Sequence, residues 1–124
     1  MSPVTPSVRV LIVDDQEAFR TAARMVVELS DGFEIVGEAA SGEEGIHLVD
    51  ELSPDLVLMD IKMPGIDGLE ATRRIIAAHP GARVVALSTY EEYVDQTLDA
   101  GAMAFISKSD FSPSELAAVW TQAT

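Results

Sequence analysis

Short apolar runs alternate with amphipathic stretches along almost the whole of this 124-residue chain, and that alternation limits what it can fold into. Val8 to Val13, Phe33 to Ala39, Asp55 to Met59, Arg83 to Ser88 and Met103 to Ile106 read as strands. Five helices are expected between and after them. In the first, Phe19, Ala22, Ala23 and Val26 have the three-and-four spacing of a buried stripe; in the second, Gly45, Leu48, Val49 and Leu52 do. Ser41 with Glu44, Asp67 with Glu70 and Ser112 with Glu115 have capping-box spacing. Pro113 then falls at a first helical position, and Phe111 and Leu116 can form a hydrophobic staple.

A regular βα alternation with near-continuous apolar strands implies an α/β fold: a doubly wound, parallel, five-stranded (βα)5 sheet with helices on both faces. Phe33 to Ala39 alternates more than the others, with Glu34 and Glu38 on the side away from the apolar residues, so it belongs at an edge. The strand order 2-1-3-4-5 fits. Such sheets place their site beyond the carboxyl ends of the strands, where the order reverses between the first and third. Residues 1–7, with Pro3 and Pro6 and no apolar period, are expected to form a flexible tail before one domain over residues 8–124.

Charge narrows the function. A net charge of −13 argues against direct nucleic-acid binding by this chain, because phosphate binding needs clustered Lys and Arg. No apolar run of about 18 residues is present, and the first residues lack a signal-peptide pattern, so a soluble, cytoplasmic protein with no membrane association is expected. The absence of cysteine removes disulfides, thiolate metal sites and thiol nucleophiles. His47 and His79 have no partner at metal-ligand spacing and read as residues of solvated helix faces. Trp120 reads as core cover on the last helix. If exposed, Trp120, Tyr90 and Tyr93 would instead suggest a protein-binding patch.

The first strand ends in Asp14-Asp15 and the third in Asp60, so the expected strand order gathers three carboxylates at one crevice. Either one or more of their pKa values rise, or a cation neutralises them, and a hard, oxygen-seeking ion such as Mg²⁺ matches such ligands. Alone, Asp14 and Asp15 could simply cap the first helix. Ser88-Thr89 follow the fourth strand and Lys108 the fifth, a hydroxyl and an ammonium suited to the oxygens of a phosphoryl group.

Taken in order, Val10-Leu11-Ile12-Val13-Asp14-Asp15-Gln16, the run Pro54 to Asp60 continuing through Met63-Pro64-Gly65 and Asp67-Gly68, then Ser88, Gly101-Ala102 and Lys108 make the chain resemble the CheY-like receiver domains of two-component response regulators. The resemblance covers Val8 to Trp120 and is strongest to receivers of LuxR/NarL-type regulators. It implies that Asp60 takes a phosphoryl group from a sensor histidine kinase as an aspartyl phosphate. It also implies Mg²⁺ held by Asp14, Asp15, Asp60 and the backbone carbonyl of Lys62. Ser88, Thr89 and Lys108 would bind the phosphoryl group, and Lys108 would pair with Asp60 beforehand. The face made by the fourth helix, fifth strand and fifth helix would then switch. A signalling domain rather than an enzyme acting on an external substrate is implied, with homodimerisation through a helix face a further option. A stand-alone receiver and the N-terminal part of a helix-turn-helix regulator are equally compatible with these residues.

Three departures from the family pattern stand out. The aromatic switch position is Phe105, without the tyrosine hydroxyl common in relatives. The stretch from Ser88 to Gly101 is about two residues short, trimming a loop or the fourth helix. Lys62 occupies a position that faces the phosphoryl group in relatives. Three other readings compete: a magnesium-dependent phosphohydrolase, which would carry an aspartate where Lys62 stands; a flavin or nucleotide binder, which acidic Asp14-Asp15-Gln16-Glu17 would repel; and a receiver-like interaction module that works without phosphorylation.

Overall fold

The computed structural model describes residues 7–123, so most of the expected N-terminal tail, and Thr124, lie outside the described residues. The order is β1 (Val8–Val13), α1 (Glu17–Glu28), β2 (Phe33–Ala39), α2 (Gly42–Leu52), β3 (Leu56–Asp60), α3 (Gly68–Ala78), β4 (Arg83–Ser88), α4 (Val94–Asp99), β5 (Ala104–Ser107) and α5 (Pro113–Ala123). Short 3-10 turns, Glu91–Tyr93 and Lys108–Asp110, precede α4 and follow β5. All pairings are parallel and the sheet order is β2-β1-β3-β4-β5. The fold class and the strand order therefore agree with the sequence pattern.

Side-chain alternation divides the core between the two faces of the sheet. Leu11, Val13, Val57, Met59, Val84 and Ala86 pack toward α2 and α3 with Val49, Ala71 and Ile75. Val10, Ile12, Leu56, Leu58, Val85 and Leu87 pack toward α1 and α5 with Ala23, Val27 and Leu116. Every residue of β3 is buried, as a central parallel strand requires.

The predicted caps form. Ser41 Oγ accepts the Glu44 N–H, Asp67 Oδ1 the Glu70 N–H and Ser112 Oγ the Glu115 N–H, at 3.1, 2.9 and 3.2 Å. Replacing Asp67 by alanine should therefore cost about 1 kcal/mol in chemical denaturation, without changing the surface exposed on unfolding. Phe111 and Leu116 join the same apolar cluster, as the staple predicts. Trp120 is half-buried, edge-on to Phe33 at 6.2 Å and stacked by Arg83 at 4.9 Å, so it covers core.

Several boundaries and faces differ from the sequence reading. β3 runs Leu56–Asp60 rather than Asp55–Met59. Asp55 instead accepts the Arg9 N–H on its side chain at 2.9 Å, while Asp60 pairs with Leu87 and extends the strand. β5 shifts similarly, because Ser107 pairs with Ser88. On α1, Ala22 is exposed and Val27 is fully buried, so the stripe follows the 3.6-residue period through Phe19, Ala23 and Val27.

β2 is an edge, as expected, but its two acids do not share a face. Ile35 pairs with Val10 and Gly37 with Leu11, leaving Val36 as the extra residue of a bulge. Glu34 and Glu38 consequently align with Arg9 and Ile12, three positions apart on β1, and fall on opposite sides. Glu38 reaches α1, where Arg24 Nε donates to it at 2.7 Å and Arg20 Nε lies 3.6 Å away.

Candidate phosphoryl-accepting site

The sheet order brings the ends of β1, β3, β4 and β5 to one rim, and with them nearly all the residues singled out in the sequence. Asp14 follows β1, Asp60 ends β3, Ser88 ends β4 and Lys108 follows β5. Carboxylate oxygens from Asp14, Asp15 and Asp60 lie within 4.8 Å of one another. Asp14 and Asp60 are buried, Asp15 is exposed. A cavity of about 190 Å³ opens beside Asp60, the only one of the three acids that lines it, together with Gln16, Lys62, Ser88, Thr89, Tyr90 and Lys108. Larger concavities lie elsewhere, one of about 530 Å³ at the opposite end of the sheet beside His79 and Trp120, but it gathers none of these carboxylates.

Lys108 bridges the acids rather than pairing with Asp60 alone. Its Nζ is 2.8 Å from Asp14 Oδ2 and 3.4 Å from Asp60 Oδ1, and its side chain is 11% exposed. The closer contact is therefore to Asp14, a change from the pairing implied by the family pattern. The Phe19 ring lies beneath the ammonium, 4.4 Å from Nζ to its centre, which holds the charge over the crevice. Asp14 is fixed from the other side: its Oδ1 accepts the Gln16 N–H at 2.8 Å, and its backbone carbonyl accepts from Arg20 Nη1 at 2.7 Å. The Gln16 bond is to the residue before α1 and not to an amide of its first turn, and α1 has no side-chain cap, so the simple helix-capping reading of Asp14 and Asp15 is not met. Its Oδ2, though near Lys108, is buried and accepts no hydrogen bond of good geometry.

This crowding acts on protonation. Burial, then the charge of Asp14, pushes the Asp60 carboxyl from an ordinary 3.8 up to about 6, with Lys108 offsetting part of the rise. An oxygen-binding cation would relieve the same stress. The all-carboxylate donor set, with an Asp14 oxygen that is ion-paired to Lys108 but accepts no hydrogen bond of good geometry, suits a hard divalent ion such as Mg²⁺.

The turn after β3 sits tightly against Asp60. Gly68 donates its N–H to the Ile61 carbonyl at 2.9 Å, and a Cβ at Gly68 would lie 2.0 Å from the Asp60 carbonyl oxygen. Close approach, rather than an unusual backbone angle, is what demands glycine there. Gly65 does need its positive φ of 77°.

On the β4 side, Ser88 is buried and its Oγ accepts the Tyr90 N–H at 3.0 Å, while Thr89 is exposed at the cavity rim. Phe105 is half-buried against the α2/α3 side of the core and lines a separate groove with Glu91 and Val94. The short Ser88-to-Gly101 stretch folds as the 3-10 turn and a six-residue α4. Lys62 turns its ammonium toward that turn, 5.4 Å from the Tyr90 ring centre and 5.5 Å from that of Tyr93. Hydrogen bonding with Tyr93 is the main reason its pKa is raised. The supporting roles of Phe19, Arg20 and the tyrosine pair were not assigned from sequence. Helical spacing from Gln16 places Phe19 and Arg20 near the rim, whereas the Lys62–tyrosine contact joins two loops and leaves no periodic signal.

Comparison with known proteins places this arrangement. Residues 10–120 match the family model described as the response regulator receiver domain. The response regulator GacA of Pseudomonas viridiflava is 47% identical over 103 residues, which are 82% of this chain and 48% of that protein. The chain thus spans about half the length of the curated relatives it matches. A LuxR-family two-component response regulator from Aurantimonas superposes with a TM-score of 0.86 at 31% identity, covering 94% of this chain and 84% of the other. The receiver domain of the histidine kinase CKI1 from Arabidopsis thaliana, solved with Mg²⁺, gives 0.80 at 31% identity, covering 94% of this chain and 91% of that one. With its strand order, its rim of acids and these likenesses all in agreement, the chain belongs to the response regulator receiver domain family of two-component signalling.

Proposed function

We propose that Asp60 is the phosphoacceptor, receiving a phosphoryl group from a phosphohistidine on a sensor histidine kinase. The observation that carries this reading is a nearly buried aspartate facing a small cavity shared with Ser88, Thr89 and Lys108. In the transfer an Asp60 carboxylate oxygen forms the new O–P bond, the P–N bond breaks, and the bonding pair leaves with the imidazole nitrogen, which takes up a proton.

Asp14, Asp15, Asp60 and the backbone carbonyl of Lys62 would hold Mg²⁺, which when bound neutralises the carboxylates and offsets the charge of the incoming phosphoryl group. Lys108 supplies a second, permanent cation already anchored in the crevice. Ser88 Oγ can donate to a phosphoryl oxygen while still accepting from Tyr90, which ties the phosphoryl group to the start of the α4 segment. Through that tie the face of α4, β5 and α5 would change arrangement, with Phe105 acting through packing alone.

A kinase partner fits the neighbouring surface of α1. Ala18, Ala22, Met25 and Leu29 are all exposed and follow 4-3-4 spacing, the stripe by which one helix packs on another. This is a signalling role, since Lys62 stands where a phosphohydrolase would place its general acid. Cytoplasmic action, homodimerisation and the absence of direct nucleic-acid binding belong to the same proposal. Among the described residues no helix is long and apolar enough to cross a membrane.

Intact mass after incubation with acetyl phosphate tests the reading. One phosphoryl group should be gained with Mg²⁺, none with EDTA, and none in Asp60→Asn. Labelling that persists in Asp60→Asn would move the acceptor elsewhere. An unlabelled wild type, beside a receiver labelled under the same conditions, would favour the phosphorylation-independent module.

A further inference from the structure

The acceptor crevice has two lysines at its edge, and only one of them is committed to the acids. Lys108 contacts Asp14 and Asp60, whereas Lys62 lines the same 190 Å³ cavity with its ammonium drawn off toward two rings. Those rings, Tyr90 and Tyr93, meet edge-on at 6.3 Å and 86°. Tyr90 precedes and Tyr93 ends the 3-10 turn Glu91–Tyr93 that leads into α4. Tyr90 also lines the cavity, and its N–H is held by Ser88. One lysine side chain therefore touches both the acceptor's surroundings and the segment that precedes the shortest helix.

We propose that Lys62 is a latch for phosphorylation: its ammonium rests against Tyr90 and Tyr93 in the unmodified chain, then leaves them for the phosphoryl group on Asp60, freeing the tyrosine turn to rearrange. The energetic ordering follows from the charges. An exposed cation beside two rings and the Tyr93 side chain is held weakly, whereas a dianionic phosphoryl group bordering the same cavity offers a charge-assisted contact. The exchange is local, because Lys62 is two residues from Asp60 and already lines the space the group would fill. It also supplies a connection to α4 that does not need a hydroxyl on Phe105. Lys62 is here a positioning residue acting on the turn, and the latch rests on Asp60 being the acceptor.

The test combines a spectroscopic signature with a double-mutant cycle. In the free protein, the Lys62 ε-methylene protons should resonate upfield of an ordinary lysine because of the tyrosine ring currents. Beryllofluoride with Mg²⁺, a phosphoryl mimic, should return them to the ordinary position. Tyr90→Leu/Tyr93→Leu removes the competing rings and should speed labelling by acetyl phosphate about fivefold, the weight of a weak cation–π contact. The same double substitution in a Lys62→Met background should leave the rate unchanged, since there is no ammonium to release. A Lys62 signal that keeps its upfield position in the beryllofluoride complex, or tyrosine effects that are equal with and without Lys62, overturns the latch. Absence of labelling in the wild type would instead fail the acceptor reading, so the two are separable.

Discussion

Asp60→Asn should be unable to accept a phosphoryl group and, at pH 7 without divalent metal, should be more stable than the wild type by about 1–3 kcal/mol. The second effect comes from the same geometry as the first. Asp60 is 5% exposed and shares its crevice with Asp14, so ionising it in the folded state is unfavourable despite Lys108. With the folded carboxyl at about 6 and an ordinary value of 3.8, the folded chain holds the proton more tightly than the unfolded one.

The wild type is therefore penalised as pH rises from 3.8, where the unfolded chain begins to ionise, and the penalty is complete above about 6. Below 3.8 the two proteins should converge, and between the two values the gap should open with rising pH. Urea unfolding at pH 3.5, 5 and 7 in EDTA measures this directly. Saturating Mg²⁺ should narrow or reverse the gap at pH 7, because an ion that binds the folded wild type stabilises it by mass action. A variant no more stable than wild type at pH 7 in EDTA would mean that Asp60 ionises there without penalty.

That penalty also shows why the site was readable before the fold was known. Three aspartates at the ends of β1 and β3 are a poor way to build a stable crevice, and such local conflicts with stability tend to mark function. Strand identity and cap positions were legible because each rests on a short-range pattern: apolar runs, capping spacings, Pro113 at the head of α5. Strand order followed only from the βα alternation and the rules for parallel crossovers. The bulge at Val36 was not, since it depends on how β2 pairs with β1 and leaves no mark in β2's own alternation. Nor was the sharing of Lys108 between two acids, which depends on how α1, β1, β3 and β5 meet around the ammonium, with the centre of the Phe19 ring 4.4 Å from it. The Lys62 contact with Tyr90 and Tyr93 lies equally beyond periodicity, because it joins two loops that only the assembled sheet brings together.

Lys108→Met should be the most damaging single change to the crevice. Methionine keeps an unbranched apolar stem over Phe19 but removes the ammonium, leaving Asp14 and Asp60, 1% and 5% exposed, without their shared cation. Removing one partner from a buried ionic cluster costs about 3–5 kcal/mol when the remaining charge cannot escape. Here part of it can: Asp60 already binds its proton at about 6, and losing Lys108 removes an influence that lowers that value. At pH 7 in EDTA the expected loss is accordingly smaller, about 2–4 kcal/mol, and it should shrink toward pH 5 as Asp60 takes up a proton. Mg²⁺ should restore more stability to the variant than to the wild type, since it would then be the sole cation among the acids. It should not restore phosphoryl transfer, which is expected to fall about 100-fold with the loss of a fixed positive charge at the accepting carboxylate. Denaturant midpoints with and without Mg²⁺ at both pH values, together with the acetyl phosphate labelling rate, separate the two effects. Unchanged midpoints and an unchanged rate would reduce Lys108 to a surface lysine and remove it from the site.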